Sequence, residues 1–413
     1  THPIVGQYQS LKALFNTGNI QPLPRYRDNM SRRHSQLFAD LPKRLSEPIL
    51  ERAGDFYRAT GDVKSVKLSV DKMDKPRCTQ YKFNPYWKTA KNLVRDKLHV
   101  IWRNTHPVSN EIVLQRLNLK TSCGYPWNLI GFRTKEDFFK SANGRRYLYD
   151  MQMLMDAPIW KVSPKVEWKA LADLLAGKVR TFIIPPVQLV YWCVLLYYAQ
   201  NLLLKGFWWS AYGFNPYQGG VNKLGKSLEG FTYKVCYDVS GWDRVLPVLQ
   251  TVYNTRQEYI PDKYLPHATW VEVNTVKSSV LLPNGDVVQR DCGNNSGSGN
   301  TTPDNIISHM FILALVLLTL FDGDEDKTVR TVAYLFGDDN VSGFDTHKSK
   351  EDVEKVFRDV YGSFGLALDP FNISDNMCDM DFLGFKFTKY QNYYIPKFDV
   401  GRLYAAFAYE IDS

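Results

Sequence analysis

Three acidic residues stand where a carboxylate is costly unless something offsets it. Asp238 closes the apolar run Val235-Cys-Tyr-Asp238-Val, and Asp338 and Asp339 form a tight turn between Val332-Ala-Tyr-Leu-Phe336 and Val341. An ionised, unpaired carboxylate near a protein interior is strongly unfavourable. A divalent cation removes that cost, and Mg²⁺ prefers hard oxygen ligands while keeping water and phosphate oxygens. Two such ions, about 3.5–4 Å apart, activate a hydroxyl nucleophile and stabilise the leaving oxygen of an in-line phosphoryl displacement. Alone, Gly337-Asp338-Asp339 is a weak signal that reads more readily as a solvated turn without metal.

The triplet has company. Asp238-Val-Ser-Gly-Trp-Asp243 precedes Ser296-Gly297-Ser-Gly-Asn-Thr301-Thr-Pro-Asp-Asn305, which precedes Phe336-Gly337-Asp338-Asp339. This order resembles motifs A, B and C of the viral RNA-dependent RNA polymerases, in the picornavirus-like group of positive-strand RNA viruses. Four further stretches extend the resemblance, so that the matches run in order from 121 to 387. Thr121-Ser122-Cys-Gly124-Tyr-Pro126 is similar to motif G. Lys165-Val-Glu167-Trp-Lys169 with Lys178-Val-Arg180-Thr-Phe182 is similar to motif F. Phe382-Leu-Gly-Phe-Lys386-Phe is similar to motif E, and Gly213-Phe-Asn-Pro216 is similar to the family's finger-to-palm approach.

Carried over residue by residue, the resemblance implies that Asp238 and Asp338 hold two Mg²⁺ ions, with Asp339 assisting and Mn²⁺ as a substitute. Asp243 and Asn305 would contact the ribose of an incoming NTP, supported by Ser296 and Thr301. A hydrogen-bonding pocket penalises a sugar that lacks the 2′-hydroxyl. The bland alternative is that Asp243 caps a helix and Asn305 a turn. Lys165, Lys169, Lys178 and Arg180 would line the triphosphate channel, where fixed positive charge offsets the charge of the pyrophosphate leaving group. On a strand, Lys178 and Arg180 share one face. A solvated basic hairpin is the alternative. Gly297 would let a loop approach template or nucleotide closely. Thr121, Ser122 and Gly124 would line the template path and Lys386 would meet primer phosphates. A ligand-free turn and a surface lysine are the competing readings.

Two departures qualify the match. Gly365-Leu-Ala-Leu-Asp369-Pro370-Phe-Asn-Ile373 lacks the lysine that the family often uses as general acid in motif D. Lys348, Lys350 and Lys355 lie upstream, so no general acid is assigned. Only 26 residues follow Phe387, where the family carries a helical thumb, so a stub or truncated thumb is expected. Asp322-Gly-Asp324-Glu-Asp326 begins like a calcium loop, but Ala333 stands at the twelfth position where a glutamate is required. A solvated acidic loop is expected there.

The elements around these residues read as follows. Helices are predicted over 86–105, 109–119, 187–204, 302–320 and 349–363. Strands are predicted over 178–184, 232–239, 329–336, 340–344, 382–388 and 392–397, with a hairpin over 275–290 turning at Asn284-Gly285. Residues 1–85 look extended with short helices and carry Arg25, Arg27, Arg32, Arg33, Lys43 and Arg44. Mixed strands and helices with adjacent hairpins argue for an α+β core. The resemblance implies a right hand with an antiparallel palm sheet flanked by helices. Its parts would be an N-terminal segment and fingers over 1–230, palm over 231–244, a fingers insertion over 245–290, palm over 291–390 and the start of a thumb over 391–413.

Composition bounds the alternatives. The chain has 413 residues and is 44% hydrophobic and 23% charged, enough to bury a large core and too apolar for a disordered chain. A net charge of +8 permits a polyanionic partner. The six cysteines, at 78, 123, 193, 236, 292 and 378, form no C-x-x-C pair, which argues against a zinc site or disulfide framework and fits a reducing compartment. The start, Thr-His-Pro-Ile-Val, has no initiator Met or signal peptide and reads as a processed or cut end. The apolar runs 187–204 and 306–321 read as buried helices and not as spans. The resemblance implies RNA template, nascent RNA and NTPs as partners, with a protein primer and other viral replication proteins also expected and no DNA. It implies work in host cytoplasm, in membrane-associated replication complexes, without a transmembrane segment of its own. The competing functions are a reverse transcriptase-like palm polymerase and a catalytically silent RNA-binding scaffold.

Overall fold

A computed structural model describes residues 8–23, 30–31, 34–59 and 61–409. Its architecture is mixed α+β, organised around two larger sheets. The strand Tyr233–Ser240 shows why the first forms. Val235, Tyr237 and Val239 alternate onto one face and join the largest apolar core, while Cys236 packs into a separate cluster on the other. This strand lies inside a four-stranded antiparallel sheet, ordered Val332–Phe336, Asp339–Phe344, Tyr233–Ser240, Ala367–Ser374.

Behind the sheet lie the helices Thr301–Leu320 and Lys350–Ser363, which supply Met310, Phe311, Phe357 and Tyr361 to the same core. Thr301–Leu320 is apolar all round, the mark of a helix surrounded by other structure. At 20 residues and mean hydropathy 1.7 it is long and apolar enough to cross a membrane, yet 94% of its most apolar window is buried inside the protein. The helix begins one residue before the predicted 302–320 span, and its Thr301–Asn305 turn extends the 306–321 apolar run N-terminally.

The second sheet has five strands, ordered Lys12–Asn16, Asp286–Arg290, Ser278–Leu281, Ile159–Pro164, Thr181–Ile184. All its pairs are antiparallel except Ile159–Pro164 with Ser278–Leu281. The helix Val187–Leu202 leaves this sheet after Pro185-Pro186 and is buried against the helix Leu265–Val276. A three-stranded sheet of Asp381–Phe382, Phe385–Tyr390 and Tyr393–Phe398 adjoins the first sheet, and the helix Gly220–Glu229 packs on its last strand. Another three-stranded sheet joins Met30–Ser31, Phe56–Ala59 and Glu167–Ala170. The helix Gly401–Ala408 returns to the N-terminal region and packs on Lys43–Ala53.

Several boundaries differ from the sequence reading. The strand predicted over 178–184 begins at Thr181, so Lys178 and Arg180 lie in the preceding loop and do not share a strand face. The 275–290 hairpin begins at Ser278, since Thr275 and Val276 end a helix. Residues 329–330 close the helix Glu325–Arg330. Arg25, Arg27, Arg32 and Arg33 lie outside the described residues.

Candidate active site

The hairpin turn at Gly337-Asp338 carries the chemistry. Phe336 pairs with Asp339, so the turn is two residues long, and Gly337 adopts a φ of 67° that a side chain would disfavour. Ser342, Gly343 and Phe344 pair with Val235, Lys234 and Tyr233. Extending that register places Asp339 opposite Asp238. Between them the side chain of Asn340 replaces the backbone ladder: its Nδ2 donates to Tyr237 O (2.8 Å) and its Oδ1 accepts from Tyr237 N (3.3 Å). Asn340 thus links the strands beyond the last backbone pair, Ser342 with Val235.

Asp339 accepts from Leu383 N (2.8 Å) and Asn340 N (3.0 Å), which fixes both its oxygens. Asp238 is exposed and its side chain has no hydrogen-bond partner among the described residues. Both line a cleft of about 500 Å³ with Asp381, Lys386 and Lys397. Asp338 opens onto the neighbouring cleft, of about 300 Å³, with Asp243, Arg180, Lys165 and Ser296. Asp238 repels both Asp338 and Asp339. Asp338 is reached by solvent but enclosed by protein walls, and that enclosure together with Asp243 pushes its pKa up to about 6. Burial, with Asp338 beside it, pushes Asp339 up to about 6 as well.

Asp238, Asp338 and Asp339 form a set of hard-oxygen donors in which Asp238 raises the pKa values of the other two. Among the described residues no group of three His, Cys, Asp or Glu side chains converges tightly enough to cage an ion alone. Mg²⁺ does not require such a cage, because it is commonly held by one or two carboxylates plus water and substrate phosphates. The residues therefore fit a divalent cation shared with a phosphate ligand.

Beneath the turn runs a relay that sequence reasoning missed. His309 on the long helix donates from Nδ1 to Gly337 O (3.0 Å), a carbonyl that can only accept. Its Nε2 therefore accepts from Tyr361 Oη, which in turn accepts from Tyr237 Oη (2.6 Å). Burial lowers the His309 pKa to about 4, so the ring is neutral.

Asp243 follows from a second left-handed glycine. Gly241 (φ 68°) ends the strand and starts the short helix Trp242–Val245. Asn305 Nδ2 donates to Asp243 Oδ1 (3.0 Å), so this sequence-predicted pair does meet. The segment is stitched to the 290–295 loop, with Asn294 N (2.8 Å) and Arg290 Nη2 (3.3 Å) both donating to Asp243 O. Arg290 is buried, and burial lowers its pKa to about 10.

The basic set divides. Arg180 and Lys165 line the cleft with Asp338 and Asp243. Arg180 is held from behind by Glu167 (Nη2 to Oε2, 2.8 Å), which raises its pKa and fixes the guanidinium. Lys169 and Lys178 do not line the cleft. Lys169 sits 3.7 Å from Glu167, and Lys178 pairs with Asp173 at 3.2 Å.

Ser296 Oγ accepts from Ile183 N (3.2 Å), and Gly297 N donates to Ile183 O (3.0 Å). A Cβ on Gly297 would lie 2.4 Å from Ile183 O. The close approach expected at Gly297 is thus made to the protein's own strand. Thr301 Oγ1 is committed to Asn295 O (2.9 Å) and Ser298 O (2.8 Å). Gly124 (φ 78°) presses against Pro185, and Cys123 O accepts from Val187 N (2.9 Å), which anchors the Thr121–Pro126 loop beside that strand. Thr121 and Ser122 are exposed, and both accept from Lys135 Nζ.

Three other expectations resolve. Lys386 pairs with Asp381 across the strands and faces the Asp238 cleft. Lys348 is turned away, donating to Leu320 O (2.7 Å), and none of Lys348, Lys350 and Lys355 lines either cleft. Asp324 caps the helix Glu325–Arg330 by accepting from Lys327 N (3.0 Å), so the calcium-like run is a structural turn.

The sequence profile described as viral RNA-dependent RNA polymerase matches residues 63–412. The chain belongs to this family. Genome polyproteins are among its relatives. That of Blackberry virus Y is 27% identical over 59% of this chain, and that of Sweet potato mild mottle virus 24% over 61%. That of Plum pox potyvirus (isolate NAT) is 25% identical over 70%. The match spans 7%, 7% and 10% of those polyproteins, so the chain corresponds to a small part of each.

Membership makes sense of the order of the acidic, glycine and basic motifs along the chain. It does not explain the Arg256–Asp304 pair, which sequence reading also missed. Both side chains are fully buried and 2.7 Å apart, directly beside Asn305. A basic residue at 256 and an acidic one at 304 carry no local signal that they will meet.

Proposed function

We propose that the chain extends an RNA strand on an RNA template, the nascent 3′-hydroxyl attacking the α-phosphate of an NTP. The observation that carries this reading is the gathering of opposite charges in one cleft. Asp338 and Asp243 line it together with Arg180 and Lys165, and both carboxylates act on Arg180. Arg180, fixed by Glu167, meets a triphosphate with a guanidinium that needs no reorganisation as negative charge develops on pyrophosphate. Lys165, whose ammonium lies 5.0 Å from the Phe182 ring, adds a second cation to the cleft lining. Asp243, oriented by Asn305, offers an acceptor to a ribose hydroxyl. Asp238, Asp338 and Asp339 would hold two Mg²⁺ ions, or Mn²⁺, which supply Lewis-acid charge at the attacking and leaving oxygens when bound. Lys386 and Lys397 would steady the nascent strand in the adjoining cleft.

In this reading the five-stranded sheet belongs to fingers drawn from 1–230 and 245–290. The four-stranded sheet is the palm of 231–244 and 291–390, and 391–413 begins a thumb. Work in host cytoplasm within membrane-associated replication complexes, with a protein primer and other viral proteins, is part of the same proposal.

The test is primer extension on an RNA template with Mg²⁺ and all four NTPs. Asp338→Ala is expected to abolish incorporation while the melting temperature changes little. Wild-type-like synthesis by that variant would refute the assignment.

A further inference from the structure

The Asp243–Asn305 pair can only work if the amide of Asn305 points the right way. A flipped amide would turn its oxygen toward the carboxylate and repel it. Two groups with unambiguous chemistry set the direction. Trp242 Nε1–H, which can only donate, gives its hydrogen to Asn305 Oδ1 (2.9 Å). Asn294 Nδ2 donates to the same oxygen (2.9 Å). The direction of Asn294 is itself fixed, because its Nδ2 also donates to Thr301 O (3.2 Å), a carbonyl that can only accept. Asn305 Oδ1 thus has both lone-pair directions filled, and its NH₂ must face Asp243 Oδ1 at 3.0 Å.

The support is rigid. Asn294 and Asn305 are buried, at 1% and 5% exposure, and Trp242 at 3%. Arg290 ties the strands of the loop together by donating to Asp243 O, Arg244 O (3.0 Å) and Asn295 Oδ1 (2.6 Å). Gly293 cannot carry a side chain, since a Cβ would meet Arg290 Nη2 at 2.0 Å and Asp243 O at 2.7 Å. Asp243 Oδ2 has no side-chain partner among the described residues, and Asp243 lines the cleft.

We propose that Trp242 and Asn294 are positioning residues for sugar discrimination. Their two N–H groups lock the Asn305 amide, so that Asp243 is left as a single aimed acceptor for the 2′-hydroxyl of the incoming nucleotide. This rests on the polymerase reading above. Neither residue touches the nucleotide in this role. Both act through Asn305.

The experiment compares kcat/KM for NTP and dNTP incorporation by Trp242→Phe, Asn294→Ser, Asn305→Ala and the double variant Trp242→Phe/Asn305→Ala. Trp242→Phe keeps an aromatic ring at this site but deletes the pyrrole ring that carries the donating N–H. Loss of one orienting hydrogen bond is expected to lower the NTP-to-dNTP ratio by about tenfold, mainly through the KM for NTP. In the double variant, Trp242→Phe should add nothing to Asn305→Ala, because the amide it orients is gone. Asn294→Ser repeats the test if Trp242→Phe fails to fold. Ratios within twofold of the unaltered protein for both single variants, with Asn305→Ala lowering the ratio, overturn the positioning role and leave the polymerase reading intact. A further fall in the ratio on adding Trp242→Phe to Asn305→Ala also overturns it. An unchanged ratio in Asn305→Ala removes sugar reading from this pair and the positioning role with it. Absence of all synthesis by the unaltered protein overturns the polymerase reading itself.

Discussion

Replacing Arg256 by Met is the sharpest test of how this protein holds its site. Arg256 Nε donates to Asp304 Oδ1 at 2.9 Å, with Nη2 lying 2.7 Å from the same oxygen, while Nη1 donates to Gln200 Oε1 at 3.1 Å and Nη2 to Asn201 Oδ1 at 2.8 Å. The guanidinium also lies 5.2–5.4 Å from the Tyr197 and Trp102 rings. In the variant, the Asp304 carboxylate keeps one side-chain donor, Tyr253 Oη at 2.8 Å. Breaking a fully buried ion pair by removing one partner costs about 3–5 kcal/mol. Against a total stability on the order of 5–15 kcal/mol, that is a large fraction. Urea denaturation followed by tryptophan fluorescence reads the loss directly. The double variant Arg256→Met/Asp304→Leu removes both charges and is expected to recover at least about 2 kcal/mol relative to the single one. Asp304 opens the helix turn that also presents Asn305, so the single variant should raise the KM for NTP as well. A single-variant loss below about 1 kcal/mol, or a double variant less stable than the single, would refute this reasoning.

Other consequences are as direct. His309→Phe removes the donor to Gly337 O and should lower kcat on the order of tenfold, the loss expected for one buried hydrogen bond, as measured by single-turnover incorporation; an unchanged kcat would count against the relay. With its pKa lowered from 6.5 to about 4, His309 contributes stability that is present above pH 6.5 and lost as pH falls toward 4. Asp338 and Asp339 act with the opposite sign in metal-free protein. Their pKa values rise from 3.8 to about 6, so stability falls as pH rises through that window. Added Mg²⁺ should therefore raise the melting temperature more at pH 7.5 than at pH 5, where protons compete for the same oxygens, and equal shifts at both would contradict the assignment. Gly297→Ala forces a Cβ to within 2.4 Å of Ile183 O and should impair incorporation by moving the loop from its strand, checked by extension assays beside a thermal melt. Arg180→Ala should raise the KM for NTP far more than Lys178→Ala, and equal effects would place Lys178 in the channel after all.

The chain's own order of residue types was informative wherever chemistry is local. Gly337-Asp338-Asp339 between two apolar runs specified a hairpin bearing carboxylates, since a two-residue turn needs glycine and the flanking strands need apolar side chains. The same holds for the long apolar helix and for Asp238, although its strand continues two residues further, to Ser240. Other elements were hidden. The strand Ala367–Ser374 carries Asp369-Pro370, which reads as a break, yet the sheet absorbs it as an irregularity between Leu368 and Phe371 at its edge. The strand Ile159–Pro164 was not predicted, because its partners Ser278–Leu281 and Thr181–Ile184 lie in distant segments.

The amino-acid order determined the ingredients of the site: which carboxylates, which glycine turns and which basic stretches stand ready. Folding alone decided which of them meet. Only the sheet register sets Asp339 across from Asp238 and Asn340 against Tyr237. Only packing turns Arg180 toward Asp338 while Lys178 stays with Asp173. His309, Arg290, Asn294 and the Arg256–Asp304 pair gain their meaning from neighbours tens of residues away. A hydrogen bond depends on separation and direction in space, and spacing along the chain encodes these only within a single turn, strand or helix.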